Sequence, residues 1–155
     1  MTSKSEFSKE NRKPIAIALK HLLADTYALY LKTQNFHWNV TGPSFNMLHL
    51  FFEGQYEELA EAVDLIAERI RALGYQAPAS FAEFMNLTQI KDADETKKTA
   101  EVMLKELLAD HHTIISSMEK MMSVAEDCKD QGSLDLLIER TRAQEKNAWM
   151  LISSV

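Results

Sequence analysis

Cysteine occurs once in this chain, proline three times and glycine four times in 155 residues. The single thiol, Cys128, closes no internal disulfide, which fits a reducing, cytoplasmic setting. So few chain breakers exclude a protein of many short strands and point to long helices. Long uncharged apolar runs are missing too: none reaches the roughly 18 residues that suggest a membrane span. The first ten residues carry no apolar segment of the secretory kind. Basic charge is in deficit, with a formal net charge of −6, which argues against nucleic-acid binding over the whole surface.

What is present is apolar periodicity. Hydrophobic residues make up 46% of the chain, and its length suits one domain with a substantial core. A first helix is expected from Pro14, a favoured first helical position, to about Asn39. After the Val40–Pro43 turn, a second runs from about Pro43 to Leu73, with Gly74 as its stop. Its seam is Phe45, Leu48, Phe52, Tyr56, Leu59, Val63, Ile66, Ile70 and Leu73, spaced three or four throughout, over about 45 Å. Residues 75–92 read as a long crossover holding a small helix, opened by a capping box at Ser80 and Glu83. A second box at Asp92 and Glu95 is expected to open the third long helix, which carries Met103, Leu107, Ile114, Met118 and Met121. The fourth is expected from about Leu134 to Ser153. The methionines at helical spacing, Met122 included, suit an adaptable core. Two hairpins joined by a long crossover predict an all-α four-helix bundle of ferritin-like topology, with a short extra helix in the crossover. Residues 1–13 are expected to form a flexible tail, and residues 14–155 the bundle.

The second helix carries an unusual set of polar groups. His49/Glu53 and Asp64/Glu68 are both i,i+4 pairs, and each pair can converge on a cation. At about 100° per residue all four fall within an arc of about 100°. Glu53 and Asp64, however, are separated by roughly 16 Å along the axis, so one ion cannot touch both pairs of the same helix. An antiparallel second copy, related by a two-fold axis at the level of Glu58 and Leu59, would lay His49/Glu53 of one chain opposite Asp64/Glu68 of the other. With His37 at the end of the preceding helix, the set holds two imidazoles and three carboxylates. Such a mixed nitrogen and oxygen set suits Fe(II), Mn(II) or Zn(II), and it is too rich in nitrogen for a dedicated calcium site. Ligand type leaves iron and zinc nearly level.

Asn35-Phe36-His37-Trp38-Asn39-Val40-Thr41-Gly42, then Phe45, Leu48 and His49, Phe52, Glu53 and Tyr56, and Asp64, Ala67, Glu68, Arg69, Ile70, Leu73 and Gly74 form a composite that resembles the Dps miniferritins. Trp149-Met150-Leu151 is similar to that family's last helix, and the likeness covers nearly the whole chain. The resemblance implies a hollow dodecamer with a ferroxidase centre at each two-fold. There Fe(II) would be oxidised preferentially by hydrogen peroxide, and ferric mineral would be stored inside. It also implies that His37, His49 and Glu53 come from one chain, and Asp64 and Glu68 from its mate. Glu53 stands where relatives can carry Asp, a change of reach and not of charge. Zinc would be a competing occupant. By the same resemblance Asp130 and Asp135 lie near a three-fold pore through which iron enters, although ordinary helix N-terminal charges would look the same.

Trp38, beside His37, is expected either to intercept stray oxidising equivalents or simply to pack in a core or interface. His111 and His112 have no acidic residue at i,i+4 and are expected to be exposed or bonded between subunits. A conventional ferritin, with its metal site inside each bundle on Glu-x-x-His motifs, is excluded. No glutamate stands three residues before His21, His37, His49, His111 or His112. The alternative is a DNA-compacting nucleoid protein with a secondary iron site. Its tail would offer Lys4, Lys9, Arg12 and Lys13 against Glu6 and Glu10, a surplus of only two. DNA binding, if present, is therefore expected to be weak.

Overall fold

The computed structural model describes residues 8–155. Four long helices and one short one make up the described chain: α1 (Lys13–Asn39), α2 (Phe45–Ala72), α3 (Phe81–Leu87), α4 (Ala100–Asp127) and α5 (Gln131–Ile152). A single 3₁₀ turn, Glu10–Arg12, precedes them. α1 packs chiefly on α2 and α4 chiefly on α5. Contacts of α1 with α4 join the two hairpins, and α3 lies on α1. This is the expected bundle with a short helix in its crossover. Among the described residues no helix is long and apolar enough to cross a membrane.

The seams close as their periodicity requires. Phe36, Leu22 and Leu29 of α1 meet Phe52, Leu59 and Ile66 of α2 in a core where each is at most 1% exposed. Burying such side chains stabilises the fold by about 1.5–3 kcal/mol apiece. A buried lysine ties α1 to α4: Lys32 Nζ lies 2.9 Å from Asp110 Oδ2. Gly42 turns the chain between α1 and α2 at φ +114°, and Gly74 ends α2 at φ +93°, backbone that favours glycine.

Several boundaries differ from expectation for local reasons. The Ser80 box forms: Glu83 N–H donates to Ser80 Oγ, and the Glu83 carboxylate accepts from Ala79 N–H. The Asp92–Glu95 box does not. Asp94 accepts from Thr96 and Lys98 in a local turn, and α4 starts at Ala100, capped by Thr99. α5 begins three residues earlier than expected, at Gln131, because Asp130 caps it by accepting from Ser133 N–H.

The tail boundary also moves. Tyr75 Oη donates to the Lys9 carbonyl at 2.9 Å, and Lys9 Nζ sits 4.9 Å from the Tyr75 ring centre. The folded body therefore reaches back to Lys9, while Lys4 and Glu6 lie outside the described residues.

Candidate metal centre

The α1–α2 reversal brings His37, in the last turn of α1, against His49, in the second turn of α2. Each ring is held by the other residue's backbone: His37 Nδ1 lies 2.6 Å from the His49 carbonyl oxygen, and His49 Nδ1 lies 2.7 Å from that of His37. A carbonyl oxygen only accepts, so both Nδ1 atoms carry the hydrogen, and both Nε2 atoms keep a lone pair for a ligand. This carbonyl-to-imidazole bond is the usual means of fixing the tautomer of a metal-binding histidine. The rings stack with centroids 3.8 Å apart at 13°. Phe45 stacks on His49 at 5.1 Å, and Tyr56 meets His37 edge-on at 5.1 Å. His37 is buried and His49 half-buried.

Glu53, one turn after His49, is half-buried, whereas Asp64 and Glu68 are exposed farther along α2. In the single chain both reach solvent, so their ionised carboxylates carry little burial cost. Among the described residues no group of three or more His, Cys, Asp or Glu side chains is placed to hold one ion. One chain thus brings together the two imidazoles and leaves Asp64 and Glu68 apart from them.

At the level taken for a two-fold axis, Leu59 is fully buried in its own bundle, and Glu58 accepts from Arg140 Nη1 at 2.8 Å. Glu58 stays partly exposed while engaged by Arg140 within the chain. The ligand stripe passes instead over Ala60, which is exposed and small. Tyr56 has its phenol pKa raised, first by burial and then by Glu53, Glu57 and Tyr30.

Trp38 is 62% exposed and belongs to no core of this chain. It lines a groove with Leu31, Phe81 and Met85, which are exposed as well. Exposed apolar residues gathered this way mark an interaction surface.

Asp130 is buried, and both its carboxylate oxygens are engaged. Oδ1 accepts from Arg69 Nη2 at 2.6 Å, and Oδ2 accepts from Ser133 Oγ at 2.6 Å. Burial pushes its pKa up, but the Ser133 bonds and the Arg69 charge outweigh that and hold it below the ordinary value. Asp135 is exposed. His112 is exposed as expected. His111 is not: it is fully buried, with Nδ1 donating to Gln144 Oε1 within the same chain. Burial, against the Gln144 bond, pushes its pKa down to about 4, and Arg140 and His112 push the same way.

Sequence reasoning missed this inner layer. Its signal was a polar stripe, Arg140, Gln144 and Asn147, on the face of α5 that should be apolar. It also missed the contacts linking Tyr56 to Tyr30 and Tyr27, for which spacing gave no sign across two helices.

The ferritin-like domain family matches residues 17–154. DNA protection during starvation protein 2 of Bacillus anthracis is 37% identical over 139 residues, spanning 90% of this chain and 94% of that protein. The DNA protection during starvation protein of Brevibacillus brevis is 33% identical over 88% of this chain and 91% of its own length. Dps from Staphylococcus aureus superposes with a TM-score of 0.89 at 32% identity, over 92% of this chain and 95% of that one. A Vibrio cholerae O1 structure, described as belonging to a broad superfamily of ferritin-like diiron-carboxylate proteins, superposes with a TM-score of 0.89 at 29% identity, over 94% and 91%.

Proposed function

Since the chain belongs to the Dps family of ferritin-like proteins, we propose that it oxidises Fe(II) at sites shared between two-fold-related subunits and stores the ferric product in a hollow dodecamer. The observation that carries this reading is the His37–His49 pair, two tautomer-fixed imidazoles with Glu53 one turn away. That is half of a ligand set. The other half, Asp64 and Glu68, lies on the same stripe of α2 at the spacing an antiparallel copy would bring across. The groove around Trp38 and Phe81 gives such a copy apolar surface to cover.

The donor chemistry suits iron as substrate. Borderline imidazole nitrogen and hard carboxylate oxygen bind Fe(II), and the carboxylates favour the higher charge of Fe(III). Hydrogen peroxide is the preferred oxidant: two Fe(II) and one peroxide, with two protons, give two Fe(III) and two waters. Delivering both electrons together releases no hydroxyl radical. Zinc, with the same ligand preferences, competes for the site. Iron reaches the cavity through a three-fold pore to which Asp135 contributes its exposed carboxylate. Asp130 stands beside it, tied to Arg69.

Protection of DNA follows from consuming iron and peroxide, with no contact required. The alternative, a nucleoid-compacting protein with a secondary iron site, is weakened by the acidic body and by Lys9, which lies against Tyr75. We place the protein in the cytoplasm, where its one free thiol is stable.

Anaerobic Fe(II) titration followed by peroxide, read by absorbance and by size exclusion, tests the proposal. It predicts a shell-sized particle, ferric absorbance, and consumption of about one peroxide per two Fe(II). A monomer that leaves Fe(II) unoxidised would end it.

A further inference from the structure

Between α2, α4 and α5 the bundle interior is polar where a helical seam is ordinarily apolar. Arg140, Gln144 and Asn147 share one face of α5, Gln55 reaches in from α2 and His111 from α4. All five are more than nine-tenths buried. Part of their bonding is internal. His111 Nδ1 donates to Gln144 Oε1, Gln55 Nε2 donates to the Asn147 carbonyl at 3.3 Å, and Arg140 Nη1 donates to the Glu58 carboxylate at 2.8 Å. Yet each side chain keeps one buried atom with no partner in the protein: His111 Nε2, Gln144 Nε2, Asn147 Nδ2, Gln55 Oε1 and Arg140 Nη2. Unpaired buried polar atoms are destabilising and rare, so five in one layer point to a bound molecule that pairs with them.

The bonds already made decide what that molecule is. Gln55 gives its amide nitrogen to a carbonyl, so its Oε1 accepts, and Gln144 gives its oxygen to His111, so its Nε2 donates. His111 Nε2 keeps a lone pair, because burial lowers the ring's pKa to about 4 and leaves it neutral. The layer thus presents donors on Arg140, Gln144 and Asn147 and acceptors on Gln55 and His111. A metal cation would meet the three donors, and the nearby carboxylate of Glu58 is taken by Arg140. An anion would meet the two acceptors, and the same Glu58 already neutralises Arg140. A small neutral molecule that both donates and accepts satisfies all five atoms.

The layer also has an entrance. α2 and α5 pack sparsely, and a groove of about 480 Å³ runs between them, lined by Gln55, Asn147, Gly54 and Lys146 among others. Gln55 and Asn147 belong to both the groove and the layer, whereas Gln144 and His111 lie deeper, with no exposed surface. A Cβ on Gly54 would meet nothing within 4 Å, so this wall of the groove is open.

We propose that the layer binds at least two water molecules, which exchange with solvent through the α2–α5 groove. One water oxygen accepts about two hydrogens, so one molecule does not serve three donors. The outer water accepts from Asn147 and donates to Gln55. The inner water accepts from Gln144 and Arg140 and donates to His111. This site is distinct from the His37–His49 pair and does not depend on iron oxidation.

The test is a crystal structure of the assembled protein at a resolution that shows ordered water, with further crystals soaked in bromide and in rubidium. Water density should join the five atoms in every subunit, and neither soak should give an anomalous peak there. In solution, oxygen-17 magnetic relaxation dispersion counts long-lived waters on the intact shell. Replacing His111→Leu together with Gln144→Leu should lower that count by about one per subunit. Gly54→Leu, on the open wall of the groove, keeps the test alive if the paired variant does not assemble. It should retain the waters and lengthen their residence severalfold. A dry layer, with Asn147 Nδ2 bonded directly to Gln55 Oε1, overturns the proposal, as does a bromide or rubidium peak among the five atoms. A water count unchanged in the paired variant overturns it too, and an unchanged residence in Gly54→Leu removes the groove as the route.

Discussion

His37 and His49 hold each other in place: the Nδ1 of each donates to the backbone carbonyl of the other, at 2.6 and 2.7 Å. The donation is to backbone, so truncating one ring leaves the other ring's tautomer fixed. His49→Ala should therefore remove one ligand cleanly. We expect peroxide-driven Fe(II) oxidation to slow markedly while assembly persists and melting shifts little, since His49 is only half-buried. Stopped-flow absorbance beside size exclusion checks this; loss of the shell along with the activity would assign His49 a structural role.

Gly132 should resist a substitution that usually helps a helix. Alanine is favoured over glycine there by about 1 kcal/mol, yet a Cβ on Gly132 would lie 2.7 Å from Arg69 Nη2. Arg69 cannot yield freely, because Asp130 and Ser133 both hold it. Gly132→Ala should destabilise by about 1–3 kcal/mol. Arg69→Ala, which leaves the Asp130 carboxylate buried and unpaired, should cost about 2–3 kcal/mol, toward the low side because Arg69 is partly exposed. Thermal melts check both, and a Gly132→Ala protein that melts higher than wild type contradicts the packing account.

The helices were legible because their apolar spacing is regular and because glycine follows the end of α2. The start of α4 was not: Asp92 and Glu95 have the residue types of a capping box, but Asp94 is occupied by Thr96 and Lys98, and Thr99 does the capping. The ligand spacing on α2 could be read from i,i+4 arithmetic. The reciprocal histidine bonds could not, since they depend on two helix backbones meeting at Gly42. His111 misled for a related reason: its partner Gln144 lies on another helix, 33 residues away.

His111 makes stability depend on pH. Its folded pKa of about 4 lies below the ordinary 6.5, so between those values the unfolded chain binds the extra proton. Its contribution is fully present above about pH 6.5 and falls away as pH drops toward 4. By linkage it amounts to something on the order of 3 kcal/mol per subunit. His111→Gln should flatten the melting temperature over that window relative to wild type. Equal slopes in the two proteins would remove His111 from the account.

DNA should be held weakly or not at all. Of the four basic residues among the first thirteen, Lys9 lies against Tyr75 and Lys13 opens α1, so each subunit contacts few phosphates, and each contact is lost with added salt. At neutral pH and about 0.15 M salt, where the Debye length is about 8 Å, gel retardation should be slight, while protection from iron and peroxide persists. Tight, salt-resistant retardation abolished by deleting residues 1–13 would show that the tail binds DNA.

The claim that the metal centre is shared between subunits is tested most directly by mixing two impaired proteins. His49→Ala and Asp64→Ala are each expected to oxidise Fe(II) slowly as homo-assemblies. In a mixed dimer one composite site carries both lesions and the other carries neither. Dissociated and reassembled at equal ratio, the mixture should regain about one quarter of wild-type sites, read as fast peroxide-driven ferric absorbance. No recovery at any mixing ratio, in shells shown by mass spectrometry to contain both chains, would place the site within one chain and contradict the account.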